Sequence, residues 1–67
     1  MSALHYASLN GHADVVQFLL DTKEVDVNEV DDEGDTPLIC ASQKGDLSTT
    51  KILLQSGANV NHKSKHG

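Results

Sequence analysis

Apolar positions fall in four short clusters separated by polar turns. Leu4 and Ala7, spaced i and i+3, mark one face of a helix from Leu4 to about Asn10. Gly11 is expected to end it, because glycine takes the left-handed conformation past a helix terminus without a Cβ clash. Val15, Val16, Phe18, Leu19 and Leu20 follow in a second helix from about Ala13 to Leu20. That helix is too apolar for a surface position and should be covered on more than one side. Residues 21–35 are polar, a loop and finger ending at Gly34. Thr36 and Pro37 then open a third helix: the hydroxyl can accept an orphan backbone N–H, and proline at the first helical position lacks an N–H that would go unpaired. It runs to about Lys44, Gly45 ends it, Asp46 can cap the next, and Leu47 to Ser56 forms the fourth helix before Gly57.

The second half of this pattern restates the first. Leu4-His5-x-Ala7, Gly11-His12, Val15-Val16 and Leu19-Leu20 return as Leu38-Ile39-x-Ala41, Gly45-Asp46, Thr49-Thr50 and Leu53-Leu54, 34 residues later. Both halves close on Val-Asn, at Val27-Asn28 and Val60-Asn61. A fixed period of this size signals a stacked array whose units share one core.

Gly34-x-Thr36-Pro37-Leu38, Gly45, Leu53-Leu54 and Gly57-Ala58-x-Val60-Asn61 carry a resemblance to the ankyrin-repeat family over nearly the whole chain. That family has a 33-residue period and a T-P-L-H-x-A signature. The resemblance implies an all-α solenoid fragment of paired antiparallel helices joined by hairpin-like fingers. One repeat is expected at about 1–30, a second at about 31–63, and the start of a third at 64–67. Solenoids generally need about three repeats for stability. The chain is therefore expected to be a marginally stable piece of a longer array, its first repeat cut off at the front.

Departures from the family pattern locate weak points. Thr49 and Thr50 stand where the first repeat has Val15 and Val16, adding hydroxyls that must find partners. Leu47 in place of Ala13 is expected to restore some volume. Ile39 replaces the family's histidine, so the second repeat should be less well fastened to its neighbour. The first inter-repeat loop is one residue longer than the second, which costs little, and its Lys23 to Val25 stretch lacks the Gly-Ala turn.

Composition narrows the function. The net charge is −5 and there is no arginine, which argues against nucleic acid, since phosphate recognition relies on basic patches. A single cysteine allows no internal disulfide and fits a reducing compartment, the cytoplasm or nucleus. No apolar run approaches the ~18 residues needed to span a bilayer, and no leader pattern is visible. No membrane partner is expected.

Eight of the ten acids lie between Asp21 and Asp35. This run reads either as a solvated loop or as an acidic finger that steers a basic partner. The resemblance places Asp32, Glu33 and Asp35 at finger-tip positions and Leu9, Asn10, Gln43 and Lys44 at the exposed ends of first helices, where ankyrin proteins contact partners. The expected function is protein–protein recognition by a partner with a cationic or neutral surface. The alternatives are a structural spacer within a longer array and a substrate-recruiting accessory domain of a larger enzyme. The resemblance also places Asn28, in Leu20-x5-Asp26-Val27-Asn28, in the context of β-hydroxylated ankyrin asparagines, with Asn61 in a weaker one; the simpler reading is that both satisfy backbone groups.

Metal chemistry has little support. A calcium loop from Glu29 would need a bidentate Glu where Cys40 stands, and Thr36-Pro37 starts a helix inside it. His62 and His66 have an i, i+4 spacing, but in a finger rather than on a helix. Cys40, mid-helix, reads as core rather than nucleophile. No cofactor and no catalytic site is expected.

Overall fold

The computed structural model describes residues 2–64. Four helices follow in order: α1 (Ala3–Leu9), α2 (Ala13–Asp21), α3 (Pro37–Lys44) and α4 (Leu47–Gln55). No strand occurs among the described residues. Three helices start on side-chain caps. Ser2 Oγ accepts from the His5 N–H, Thr36 Oγ1 from that of Ile39 and an Asp46 carboxylate oxygen from that of Thr49, at 3.3, 3.3 and 3.0 Å. Each satisfies a donor the helix itself leaves unpaired.

Glycine closes three of the four helices in the same way. At Gly11, Gly45 and Gly57 the backbone turns left-handed, and two N–H groups fold back on the last turn; His12 to Ala7 and Gly11 to Ser8 are one such pair. This is the Schellman arrangement. The end of α2 has Lys23 instead, held at φ 59°. Here the Thr22 hydroxyl takes over part of the bonding: it donates to the Leu19 carbonyl at 2.7 Å and accepts from the Glu24 N–H at 3.2 Å. The loop without the Gly-Ala turn is thus closed by a threonine relay.

Short turns fold α2 back on α1 and α4 back on α3, and the two hairpins stack so that α1 lies on α3 and α2 on α4. Leu4, Ala7, Val16, Leu38, Ala41 and Leu53 form the buried core, with Leu19, Leu20, Val27 and Ile52 packed against it. Burial of such apolar surface is the main stabilising term.

One expectation about this core fails: Leu47 restores no volume, because it is 83% exposed. α2 is covered as expected by its partner helix α1 and by α4 of the next repeat, which bury Val16 fully, while Val15 is 44% and Phe18 69% exposed. The threonine hydroxyls do find partners. Thr49 Oγ1 donates to the Asp46 carboxylate and Thr50 Oγ1 to the Asp46 carbonyl.

Candidate protein-binding surface

The acidic finger is an ordered turn. Asp31 accepts backbone N–H bonds from Glu33 and Asp35, both at 2.9 Å, through one carboxylate oxygen. The main chain closes the same turn, with Asp31 N–H donating to the Asp35 carbonyl and Gly34 N–H to that of Asp31. The Asp35 N–H, foremost among several contacts, holds the Asp31 carboxyl below its ordinary value. Negative charge at Asp31 therefore organises the loop that presents Asp32 and Glu33, both of which are exposed.

Asp35 differs from those two. It was expected to face water at the finger tip, but it is only 8% exposed, and one of its carboxylate oxygens is buried without a hydrogen-bond partner. Its position explains this: the residue precedes the Thr36 cap and its carbonyl is gripped by His5. His5 is fully buried; its Nε2–H donates to the Asp35 carbonyl at 2.8 Å, and its Nδ1 accepts from the Ser2 hydroxyl at 2.8 Å. A carbonyl can only accept, which fixes the proton on Nε2.

The other predicted contact residues gather at the far ends of α1 and α3. Asn10, Gln43 and Lys44 are exposed and Leu9 is half-buried rather than free. Gly11 lies between these ends, near the Lys44 and Asp46 side chains; a Cβ there would make only ordinary contact with them, and it is the left-handed backbone at φ 70° that calls for glycine. An eight-residue helix rises ~12 Å, so the start of α3, where the finger ends, and the Gln43–Lys44 end stand about that far apart.

Asn28 ties the hairpins together on another side. Its Oδ1 accepts from the Asn59 N–H at 2.7 Å and its Nδ2 donates to the Gly57 carbonyl at 3.5 Å. The geometry matches an asparagine that satisfies backbone groups. His62, expected in a finger, is half-buried, and its Nε2–H donates to the Gly34 carbonyl at 2.8 Å. Only the tertiary structure brings it there, 28 residues along the chain from its acceptor. His66, the other half of the zinc spacing, lies outside the described residues, and among the described residues no cluster of three or more metal-ligating side chains forms. Cys40 is buried, and burial pushes its thiol up to about 11, which leaves it a poor nucleophile. An open hollow of about 540 Å³ lies between the end of α2, the loop at Lys23–Val27 and Ser56. Sequence reasoning had no signal for it, because it joins residues from both hairpins.

The family described as ankyrin repeats (3 copies) matches residues 1–64. The chain belongs to the ankyrin-repeat family. Ankyrin repeats are in general protein-interaction modules rather than catalysts. A segment of the E3 ubiquitin-protein ligase KEG of Arabidopsis thaliana is 38% identical over 66 residues, covering 98% of this chain and 4% of that protein. The human transient receptor potential cation channel subfamily A member 1 is 39% identical over 59 residues, 87% of this chain and 5% of the channel. The 26S proteasome non-ATPase regulatory subunit 10 of Dictyostelium discoideum is 39% identical over 56 residues, 84% of this chain and 24% of the subunit. The crystal structure of the human ASB11 ankyrin repeat domain superposes with a TM-score of 0.93 at 33% identity, covering all of this ankyrin chain and 30% of the other. The chain thus spans less than a quarter of each of these curated relatives, and what they share is the repeat. No helix among the described residues is long and apolar enough to cross a membrane.

Proposed function

We propose that this ankyrin segment recognises a partner protein bearing a basic surface, through the acidic finger tip at Asp32 and Glu33 and the helix ends at Leu9, Asn10, Gln43 and Lys44. The observation that carries this reading is the finger itself. Its exposed acids stand on a turn fixed by Asp31, so a partner need not order the loop on binding, which removes one cost of association. Charges at such a rim mainly raise the association rate and sharpen selectivity, while the helix ends hold the complex. Asp35 serves as a strut behind the tip, through its carbonyl bond to His5. The repeats are taken as about 1–30 and 31–63, with a third beginning at 64. A buried free thiol fits a reducing compartment, cytoplasmic or nuclear.

The test is kinetic. A partner captured with the wild-type chain is measured against Asp32→Lys/Glu33→Lys. Association should slow and lose salt dependence, since screening already acts over about 8 Å at ~0.15 M salt. Bulky or charge-reversed residues at Leu9, Gln43 and Lys44 should instead speed dissociation. Binding that ignores both sets but is abolished by changes at Gln17 or Lys51 on the outer helices would rule the surface out.

A further inference from the structure

Of the four asparagines in the chain, only Asn10 is followed by glycine; Asn28, Asn59 and Asn61 precede Glu29, Val60 and His62. The backbone nitrogen after an asparagine is a nucleophile within reach of that asparagine's side-chain amide carbon. Only glycine puts no side chain of its own in the way of the attack. Asn10 is exposed. Its exposure does not come from where the chain begins: its counterpart in the second repeat, Lys44, is exposed as well, although α1 packs against α3.

In the folded chain the attack is blocked. Asn10 has ψ 1°, so the Gly11 nitrogen eclipses the Asn10 nitrogen, and Cβ, which carries the amide, is turned away from it. Three hydrogen bonds hold that arrangement. The Asn10 Nδ2–H donates to the Tyr6 carbonyl at 2.8 Å, the Gly11 N–H to that of Ser8 at 3.2 Å and the His12 N–H to that of Ala7 at 2.9 Å. Rotating ψ until Cβ faces the Gly11 nitrogen pulls these bonds apart, so the reaction has to wait for the last turn of α1 to open. Helix ends fray, and such local opening does not require global unfolding.

We propose that Asn10–Gly11 is a site of spontaneous modification, at which Asn10 becomes aspartate or isoaspartate when the end of α1 opens. Hydroxide takes the Gly11 amide proton, and the nitrogen bonds to Asn10 Cγ. The Cγ–Nδ2 bond breaks, and the amide nitrogen takes a proton from water and leaves as ammonia. Water then opens the cyclic imide: cleavage of the bond from the Gly11 nitrogen to Cγ gives aspartate, and cleavage of its bond to the main-chain carbonyl carbon gives isoaspartate. Either product weakens the helix end that had to open. The aspartate carboxylate cannot donate to the Tyr6 carbonyl, and it puts negative charge at the negative end of the helix dipole. Isoaspartate lengthens the main chain by one carbon just before the left-handed turn at Gly11. The reaction is independent of the partner-binding reading, although it adds a negative charge at one of the residues named there.

To test this, the chain is held at mildly alkaline pH in buffer and in denaturing urea. Conversion is read by peptide mass spectrometry, with isoaspartate counted by enzymatic methylation. In urea Asn10 should convert well ahead of Asn28, Asn59 and Asn61. In buffer it should convert more slowly by roughly tenfold or more, the effect of about 1.4 kcal/mol of protection. That factor should match the hydrogen-exchange protection of the His12 amide and fall short of that of Leu53 in the core. Asn10→Gln, which would have to close a larger ring, should stop the conversion. Asn10→Asp, one of the products made directly, should speed exchange at Gly11 and His12. An Asn10 that stays intact in urea overturns the proposal, as does one that converts equally fast in buffer or one protected as strongly as the Leu53 amide. Unchanged exchange in Asn10→Asp overturns the weakening of the helix end by the product.

Discussion

The two hairpins repeat one phrase but place their polar groups to opposite effect. In the first, His5 and Asn28 reach across to backbone just before and just after the second hairpin. In the second, Thr49 and Thr50 bond back to Asp46 one turn earlier, within their own helix end. Polar groups of the first hairpin therefore fasten the stack, whereas those of the second fasten the helix that carries them. A hydrogen bond between units couples their stabilities; one within a unit only raises that unit's own. Cooperativity in a solenoid resides in the first kind.

The comparison breaks most sharply at Leu53, the fully buried leucine of α4. Leu53→Ala should cost on the order of 2–5 kcal/mol from lost transfer energy and the cavity left behind. Stability in a two-hairpin chain is small, so urea unfolding should show little folded protein at all.

His5→Ala against Thr49→Val sharpens it next. Removing the imidazole leaves the Asp35 carbonyl with the Asp31 N–H alone, breaks the bond between the hairpins and empties a fully buried site, a loss of roughly 1–3 kcal/mol. Thr49→Val removes a bond internal to the α4 start and adds an apolar methyl, so the change should stay within about 1 kcal/mol. Hydrogen exchange distinguishes the two further: His5→Ala should loosen amides in both hairpins, Thr49→Val only those of α4.

The smallest effect is acid sensitivity. Thr49, by its hydroxyl and its backbone N–H, holds the Asp46 carboxyl below its ordinary value of 3.8. Asp31 is lowered too, by the Asp35 N–H first. A carboxyl lowered in the folded state contributes stability that is fully present above its unfolded pKa and lost as pH falls through the folded value. The urea midpoint should therefore hold between neutral pH and about 5 with respect to these groups and decline below about 4. Asp46→Asn should lower the midpoint at neutral pH and flatten the acid decline. An unchanged acid decline in that variant would remove Asp46 from the account.

Much of the fold was legible because helix ends are local. Thr36-Pro37, Asp46 and the glycines at 11, 45 and 57 act on backbone groups within a few residues, and the helices start and stop within one residue of the positions they mark. The finger tip was legible through the family resemblance: Asp32 and Glu33 are exposed as it implied, and so are Asn10, Gln43 and Lys44. Asp35 was not, because its burial depends on His5, 30 residues away, taking its carbonyl. Leu9 and Leu47 changed places with expectation for a related reason: Leu9 sits on α1, which lies on α3, while Leu47 stands exposed at the start of α4. Sequence alone thus determined the repeat, its helix boundaries and an acidic turn between hairpins, all set by local bonding and periodicity. Tertiary structure decided which members of equivalent pairs are buried and which polar groups bind across, because each depends on what the other hairpin, some 30 residues away, packs against it.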